Sequence, residues 1–180
     1  MAKNIEIKAR ANNTPEQRAI ASSLSDCDEQ LIVQRDTFFN VEHGRLKLRV
    51  FADQSAELIF YRRRDSSGPT LSEYFISKTK DPAGLMTVLA QAYGVAVQVN
   101  KHRTLYLSGR TRIHFDQVEK LGDFIELEVV MAQDEALSDG EAEVQRLMQK
   151  LGITTEHLVD VAYADLITQQ SQDSEAGNLE

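Results

Sequence analysis

A chain of 180 residues, 42% apolar and 27% charged, is long enough for one domain with a sizeable core and has an ordinary globular composition. No apolar run approaches the roughly 20 residues of a membrane span, and a net charge of −8 argues against bulk binding to nucleic acid or to an anionic membrane. The opening MAKNIEIKAR has no apolar signal core, and a single cysteine, Cys27, rules out an internal disulfide, so a cytoplasmic protein is expected.

Alternation of apolar and polar residues dominates. A first strand is expected over 3–11, where Ile5, Ile7 and Ala9 alternate with Glu6, Lys8 and Arg10. TPEQRAIASSL then reads as a helix, with Thr14 as N-cap, Pro15 at the first helical position and Gln17 closing a capping box. Strands at 29–39, 44–52, 55–64 and 72–80 follow, punctuated by Gly44 and Gly68. DPAGLMTVLAQAYG repeats the helix-start device with Asp81 and Pro82 and stops at Gly94. Strands at 97–107, 110–118 and 122–132 complete the set, divided by Gly109 and Gly122. SDGEAEVQRLMQKLG offers Ser138 and Glu141 as a capping box and Gly152 as a stop, and a last helix is expected near 156–169. The remaining QQSQDSEAGNLE is polar and aperiodic, which predicts one domain over 1–168 and a disordered tail over 169–180.

The polar faces of these strands are charged rather than merely polar. Glu6, Lys8 and Arg10 share a face on the first strand, and Arg45, Lys47 and Arg49 on the third. Glu57 and Arg63 stand on the fourth, Lys101 and Arg103 on the sixth, Arg112, His114 and Asp116 on the seventh, Glu126 and Glu128 on the eighth. Two arrangements satisfy this pattern. The charged faces can look at solvent while the apolar faces pack on helices. Alternatively, the sheet closes with its charged faces inward, and eight strands are about enough to enclose one small ligand. Buried like charges are then too costly unless paired or liganded. A small polyanion held by Lys and Arg, with divalent cations held by carboxylates, satisfies both signs.

The residues also carry a family resemblance. NIEIK is similar to the Glu-x-Glu-x-Lys signature of the CYTH family, the triphosphate tunnel metalloenzymes, with Glu6 and Lys8 matching and Asn4 in place of the first Glu. QRDTFF (Gln34, Asp36), GRLKLR, AELIFYRR, NKHR, RIHFDQVEKLGDFIELEVV and AYADLI extend the resemblance, in order, over nearly all of residues 3–168. The class IV adenylyl cyclase-like branch is the nearest in pattern. The resemblance implies an α+β fold: a closed eight-stranded antiparallel β-barrel, a triphosphate tunnel, with flanking helices. It implies Mg²⁺ or Mn²⁺, bound by Glu6, Glu126 and Glu128 with Glu57 and Asp116 as further candidates. It assigns phosphate binding to Lys8, Lys47, Arg49, Arg63, Lys101, Arg103 and Arg112, with Lys78 added, and catalysis to Glu6, Lys8, Glu126 and Glu128. His114 reads as a hydrogen-bonded wall residue, and Tyr163 as packing the last helix against a tunnel mouth.

The implied activity is adenylyl cyclase-like conversion of ATP to cyclic AMP and pyrophosphate. The alternatives are hydrolysis of inorganic, thiamine or nucleoside triphosphate, or a non-catalytic triphosphate sensor. The implied partner is a small triphosphate, such as ATP, tripolyphosphate or thiamine triphosphate, rather than nucleic acid or a membrane; a homodimer is one option for assembly.

Overall fold

The computed structural model describes residues 2–66 and 68–176. In chain order the elements are β1 (Ala2–Arg10), α1 (Thr14–Leu24), β2 (Gln30–Phe39), β3 (Arg45–Phe51), β4 (Ala56–Arg63), β5 (Thr70–Thr79), α2 (Pro82–Tyr93), β6 (Val95–Ser108), β7 (Thr111–Val118), β8 (Gly122–Val130), α3 (Leu137–Lys150) and α4 (Tyr163–Ala176). A single 3₁₀ turn, Thr155–His157, precedes α4. The strands form a closed antiparallel barrel in the order β1-β5-β4-β3-β2-β6-β7-β8, so the expected closed barrel is what the chain builds. β1 closes it, pairing with β5 on one side and β8 on the other.

The apolar faces point outward, under helices. Ile5 and Ile7 of β1, Ile113 of β7, and Ile125, Leu127 and Val129 of β8 are buried with Val144, Leu147 and Met148 of α3. Each such aliphatic side chain contributes about 1.5–3 kcal/mol by leaving water. Gly140 permits this contact: a Cβ there would lie 2.7 Å from Ile5 Cγ1 and 2.5 Å from Met131 Sδ. Leu89 of α2 joins Phe39, Leu48 and Val50 over β2 and β3. Tyr163, Ala164 and Ile167 of α4 pack with Phe38, Val99 and Phe124 across one end of the barrel.

Several local expectations need correction. α1 starts at Thr14, and the capping position is Asn13, whose backbone N–H donates to Gln17 Oε1 at 3.2 Å. Pro15 pre-sets the first turn, so the start shifts by one residue without altering the helix. α3 begins at Leu137 after Ala136 and has no side-chain cap, so the Ser138–Glu141 box does not form. α2 does follow the pattern: Asp81 Oδ1 accepts from the Gly84 N–H at 2.8 Å, and Gly94 ends the helix at φ +72°. α4 runs to Ala176, so 169–176, expected as disordered tail, is helical; its anchored first turn lets a polar segment propagate helix at little cost. The rest of that tail, 177–180, lies outside the described residues. Among the described residues no helix is long and apolar enough to cross a membrane.

Candidate active site

The inward rows of the strands line a cavity of about 340 Å³. It has two unlike walls. One, built by β1, β8 and β7, carries Glu6, Glu126, Glu128, Arg112 and His114. Strand register sets these side chains against each other: Glu6 opposite Glu128, Lys8 opposite Glu126, Arg112 opposite Glu128, His114 opposite Glu126. The Nδ1 of His114 lies 3.6 Å from Glu128 and 3.9 Å from Glu126, and it is buried without a hydrogen-bond partner. Ligand atoms of His114, Glu126 and Glu128 all fall within 4.8 Å of one another.

The basic wall uses one device twice. On β3, Lys47 and Arg49 both donate to the buried Asp36 of β2, at 2.8 Å from Lys47 Nζ and 2.7 Å from Arg49 Nε. On β6, Lys101 and Arg103 both donate to Asp116 of β7, at 2.8 Å from Lys101 Nζ and 2.6 Å from Arg103 Nε. Tyr163 adds its hydroxyl to Asp116 at 3.1 Å. Each Lys-x-Arg row is therefore aimed by an aspartate on the adjoining strand. Burial alone would raise the Asp36 carboxyl, but Arg49 and Lys47 outweigh it and hold it far below the usual carboxylate range.

Charges on the first wall are less evenly matched. Burial, reinforced by the charge of Glu128, pushes Glu6 up to about 7. Arg63, 3.2 Å away, only partly offsets this. Burial likewise opposes the charge of Glu126, yet Lys101 and Arg103 bring its carboxyl down to about 2. Burial lowers Lys8 to about 8 despite its ion pair with Glu126 at 3.6 Å. Burial and the Arg103 charge lower His114 to about 4, so the imidazole is neutral at pH 7 and can offer a ring nitrogen to a Lewis acid.

One end of the barrel is covered. After the 3₁₀ turn, the Val159 N–H donates to the Lys8 carbonyl at 2.9 Å. The chain then crosses the barrel end: Lys8 Nζ donates to the Val161 carbonyl at 3.0 Å and Arg63 to the Asp160 carbonyl at 2.9 Å. The Tyr163 ring lies under two ammonium groups, 4.2 Å from Lys8 Nζ and 5.0 Å from Lys101 Nζ. Tyr163 thus packs against a tunnel end, as read from AYADLI.

Of the residues singled out by sequence, Glu6, Lys8, Lys47, Arg49, Glu57, Arg63, Lys101, Arg103, Arg112, Glu126 and Glu128 line the cavity. Lys78 does not: it faces solvent, opposite Glu57 on β4. Asp116 is 1% exposed, does not line the cavity, and is saturated by Arg103, Lys101 and Tyr163. Glu57 lines the cavity but stands apart from the His114–Glu126–Glu128 group. Asn4 is buried beside that group, its Nδ2 donating to Glu128 Oε2 at 3.5 Å and its Oδ1 accepting from the Tyr74 hydroxyl at 3.5 Å. An amide here removes one like-charge contact with Glu128. The role of Asp36 as anchor went unread, although it shares the inward row of Gln34 and Phe38.

Fold and lining together define a closed β-barrel whose interior is a tunnel of paired charges. The CYTH domain pattern matches residues 2–163, and the chain belongs to that family. Among curated proteins none matches significantly. Similar solved structures include the PH1012 protein from Pyrococcus horikoshii, at TM-score 0.81 and 20% identity, covering 91% of this chain and 98% of that one. An adenylate cyclase candidate from Vibrio parahaemolyticus aligns at TM-score 0.74 and 16% identity, over 92% and 97% of the two chains. A Hippeastrum protein, HpAC1, described as revealing a dominant triphosphatase activity, aligns at TM-score 0.65 and 15% identity, over 94% and 96%. At these identities the likeness is one of fold.

Proposed function

We propose that the protein is a divalent-metal-dependent enzyme that cleaves a triphosphate held in the tunnel. The observation that carries this reading is the near balance of buried charge. Asp36 and Asp116 offset half the charge of Lys47, Arg49, Lys101 and Arg103, and Glu6, Glu126 and Glu128 face Arg63, Lys8 and Arg112, so a triphosphate alone would leave the cavity negative. Divalent cations accompanying it restore the balance, and the donors suit them. Glu126, Glu128 and the partnerless Nδ1 of His114 converge, and Glu6 faces Glu128 with its charge poorly compensated. Mg²⁺ or Mn²⁺ bound there would polarise a phosphoryl oxygen and offset charge developing on the leaving group.

The chain's own groups do the rest. Lys47, Arg49, Lys101 and Arg103 grip phosphate oxygens in a geometry set in advance by their aspartates, so little reorganisation accompanies binding. Lys8 and Arg63 complete the grip at the covered end. Asp116, saturated and withdrawn from the cavity, acts as a positioning residue rather than a metal ligand. Lys78 takes no part.

A water attacking the terminal phosphorus would make this a triphosphatase. A ribose hydroxyl attacking the α-phosphorus would make it adenylyl cyclase-like. Incubating the purified protein with ATP, thiamine triphosphate or tripolyphosphate, each with Mg²⁺ or Mn²⁺, tests both. Release of phosphate is the first outcome, and cyclic AMP with pyrophosphate the second. Tight binding without turnover of any of the three would overturn the enzyme reading in favour of a sensor.

The Glu6 carboxyl adds a pH signature. Its folded pKa, about 7, lies above its ordinary 4.5. Its contribution to the metal-free barrel is therefore full below 4.5 and lost as pH rises through about 7. A cation must displace that proton, so Mn²⁺ affinity should rise by up to about tenfold per pH unit below 7 and level off above it. Calorimetric titrations from acid to neutral pH should show that slope in the wild type and a shallower one in Glu6→Gln.

A further inference from the structure

One side chain on the carboxylate wall keeps a ring nitrogen that bonds to nothing. His114 stands on β7 in the inward row, between Arg112 and Asp116, and lines the cavity. Its register partners are Leu105 on β6, which has no polar side-chain atom, and Glu126 on β8. The sequence predicts a hydrogen-bonded wall residue here, whereas the structure leaves the buried Nδ1 without a partner. His114 is only 3% exposed, so bulk water does not supply that partner either, and a buried polar atom left unpaired destabilises a fold. Of the four histidines in the chain, it is the one that lines the cavity.

The carboxylates around it are unevenly committed. Glu128 Oε2 accepts from Arg112 Nη1 at 3.1 Å and from Asn4 Nδ2 at 3.5 Å. Its other oxygen, Oε1, faces His114 Nδ1 at 3.6 Å, and Glu126 Oε2 lies 3.9 Å from the same nitrogen. Both spacings are too long for hydrogen bonds. Both suit one shared ion, since two donors each about 2.1 Å from a cation stand at most about 4.2 Å apart. Among the described residues, no other group of histidine, cysteine and carboxylate side chains converges in this way. Glu6, although it faces Glu128, is paired with Arg63 and lies outside the group.

We infer that His114 is itself a ligand, through a ring nitrogen, of the cation held by Glu126 and Glu128. This rests on the divalent-metal reading above and deepens it: the site mixes nitrogen with oxygen donors instead of using carboxylates alone. Carboxylate and water oxygens suit Mg²⁺, whereas imidazole favours first-row transition cations, with affinity rising from Mn²⁺ to Co²⁺. The wall therefore discriminates against Mg²⁺ at this position. A neutral imidazole can carry its one proton on Nε2 and present Nδ1, so ligation at pH 7 displaces no proton from the ring.

Cation binding to the whole chain tests this without turnover. Pulsed electron paramagnetic resonance of bound Mn²⁺ should show a directly coordinated nitrogen, and its coupling should change from that of ¹⁴N to that of ¹⁵N when the protein carries ¹⁵N-labelled histidine. In calorimetric titrations, His114→Asn should weaken Co²⁺ binding at least about tenfold and Mg²⁺ binding less than about threefold. The wild-type spectrum needs no variant, so it decides the question even if the buried replacement fails to fold. Bound Mn²⁺ without a histidine coupling, or equal losses of Co²⁺ and Mg²⁺ affinity in the variant, would overturn this inference alone and leave a metal enzyme with an all-oxygen site. Failure of Mn²⁺, Co²⁺ and Mg²⁺ to bind, with or without methylene-bridged tripolyphosphate, would overturn the metal-dependent reading and this inference with it.

Discussion

Glu128→Gln is expected to lower metal-supported turnover of a triphosphate by at least about a hundredfold while the barrel keeps its thermal stability. In the metal-free protein, Glu128 faces Glu6 across the β1–β8 seam, and its charge is one reason the Glu6 carboxyl sits near 7. Glutamine preserves the shape and removes that repulsion. Arg112, the ion-pair partner at 3.1 Å, is partly exposed and can turn to solvent. Nothing is therefore lost from the fold, while the proposed cation loses a negative ligand. Glu126→Gln should act in the same direction but cost more stability, because Glu126 also pairs with Arg103 and Lys8. Turnover assays at varied Mg²⁺, alongside thermal melts, decide the matter; full activity in both variants would refute the cation-binding role.

Asp116→Asn should have the opposite profile, with stability as the first casualty. Asp116 is buried with both oxygens committed to Arg103 and Lys101. Removing its charge strands two buried cations, a loss of about 3–5 kcal/mol. For a domain of this size the melting temperature should fall by roughly 10 °C. The Asp116 carboxyl is held well below its ordinary 3.8, so its contribution is complete above that value and disappears only in stronger acid. The deficit should accordingly be the same at pH 6 and at pH 8. Added tripolyphosphate should recover more stability in the variant than in the wild type, since phosphate oxygens can take over the vacated pairings. Equal recovery in both would argue that the lost aspartate did not aim those cations toward the cavity.

Lys78 and Asp116 show what alternation could and could not disclose. Both are in phase with the inward rows, Lys78 with Tyr74 and Ile76, Asp116 with Arg112 and His114. A period of two fixes the face but says nothing of depth along the barrel. Depth follows from the stagger between strands, which depends on the pairing of β1 with both β5 and β8. The β1–β8 half of that closure joins segments more than a hundred residues apart. Lys78 therefore runs beyond the lined cavity into solvent, and Asp116 ends beneath Tyr163. The carboxylate wall was more legible because Glu126 and Glu128 are neighbours on one strand and Glu6 is fixed opposite them by the same seam. The partnerless Oε1 of Gln34 could not be foreseen, since nothing local distinguishes a satisfied amide oxygen from an orphaned one.

The crossing of residues 159–163 over the barrel end also bears on traffic. A tunnel with one usable mouth works in single file. The proposed triphosphate would have to enter through that mouth, and whatever fragment formed deepest, near Lys8 and Tyr163, would be the last to leave. The fragment nearer the mouth would have to depart first and clear the way. Rate and retention would then be set by neighbouring groups, the one by the carboxylate wall and the other by how firmly two lysines over a tyrosine ring hold a spent anion.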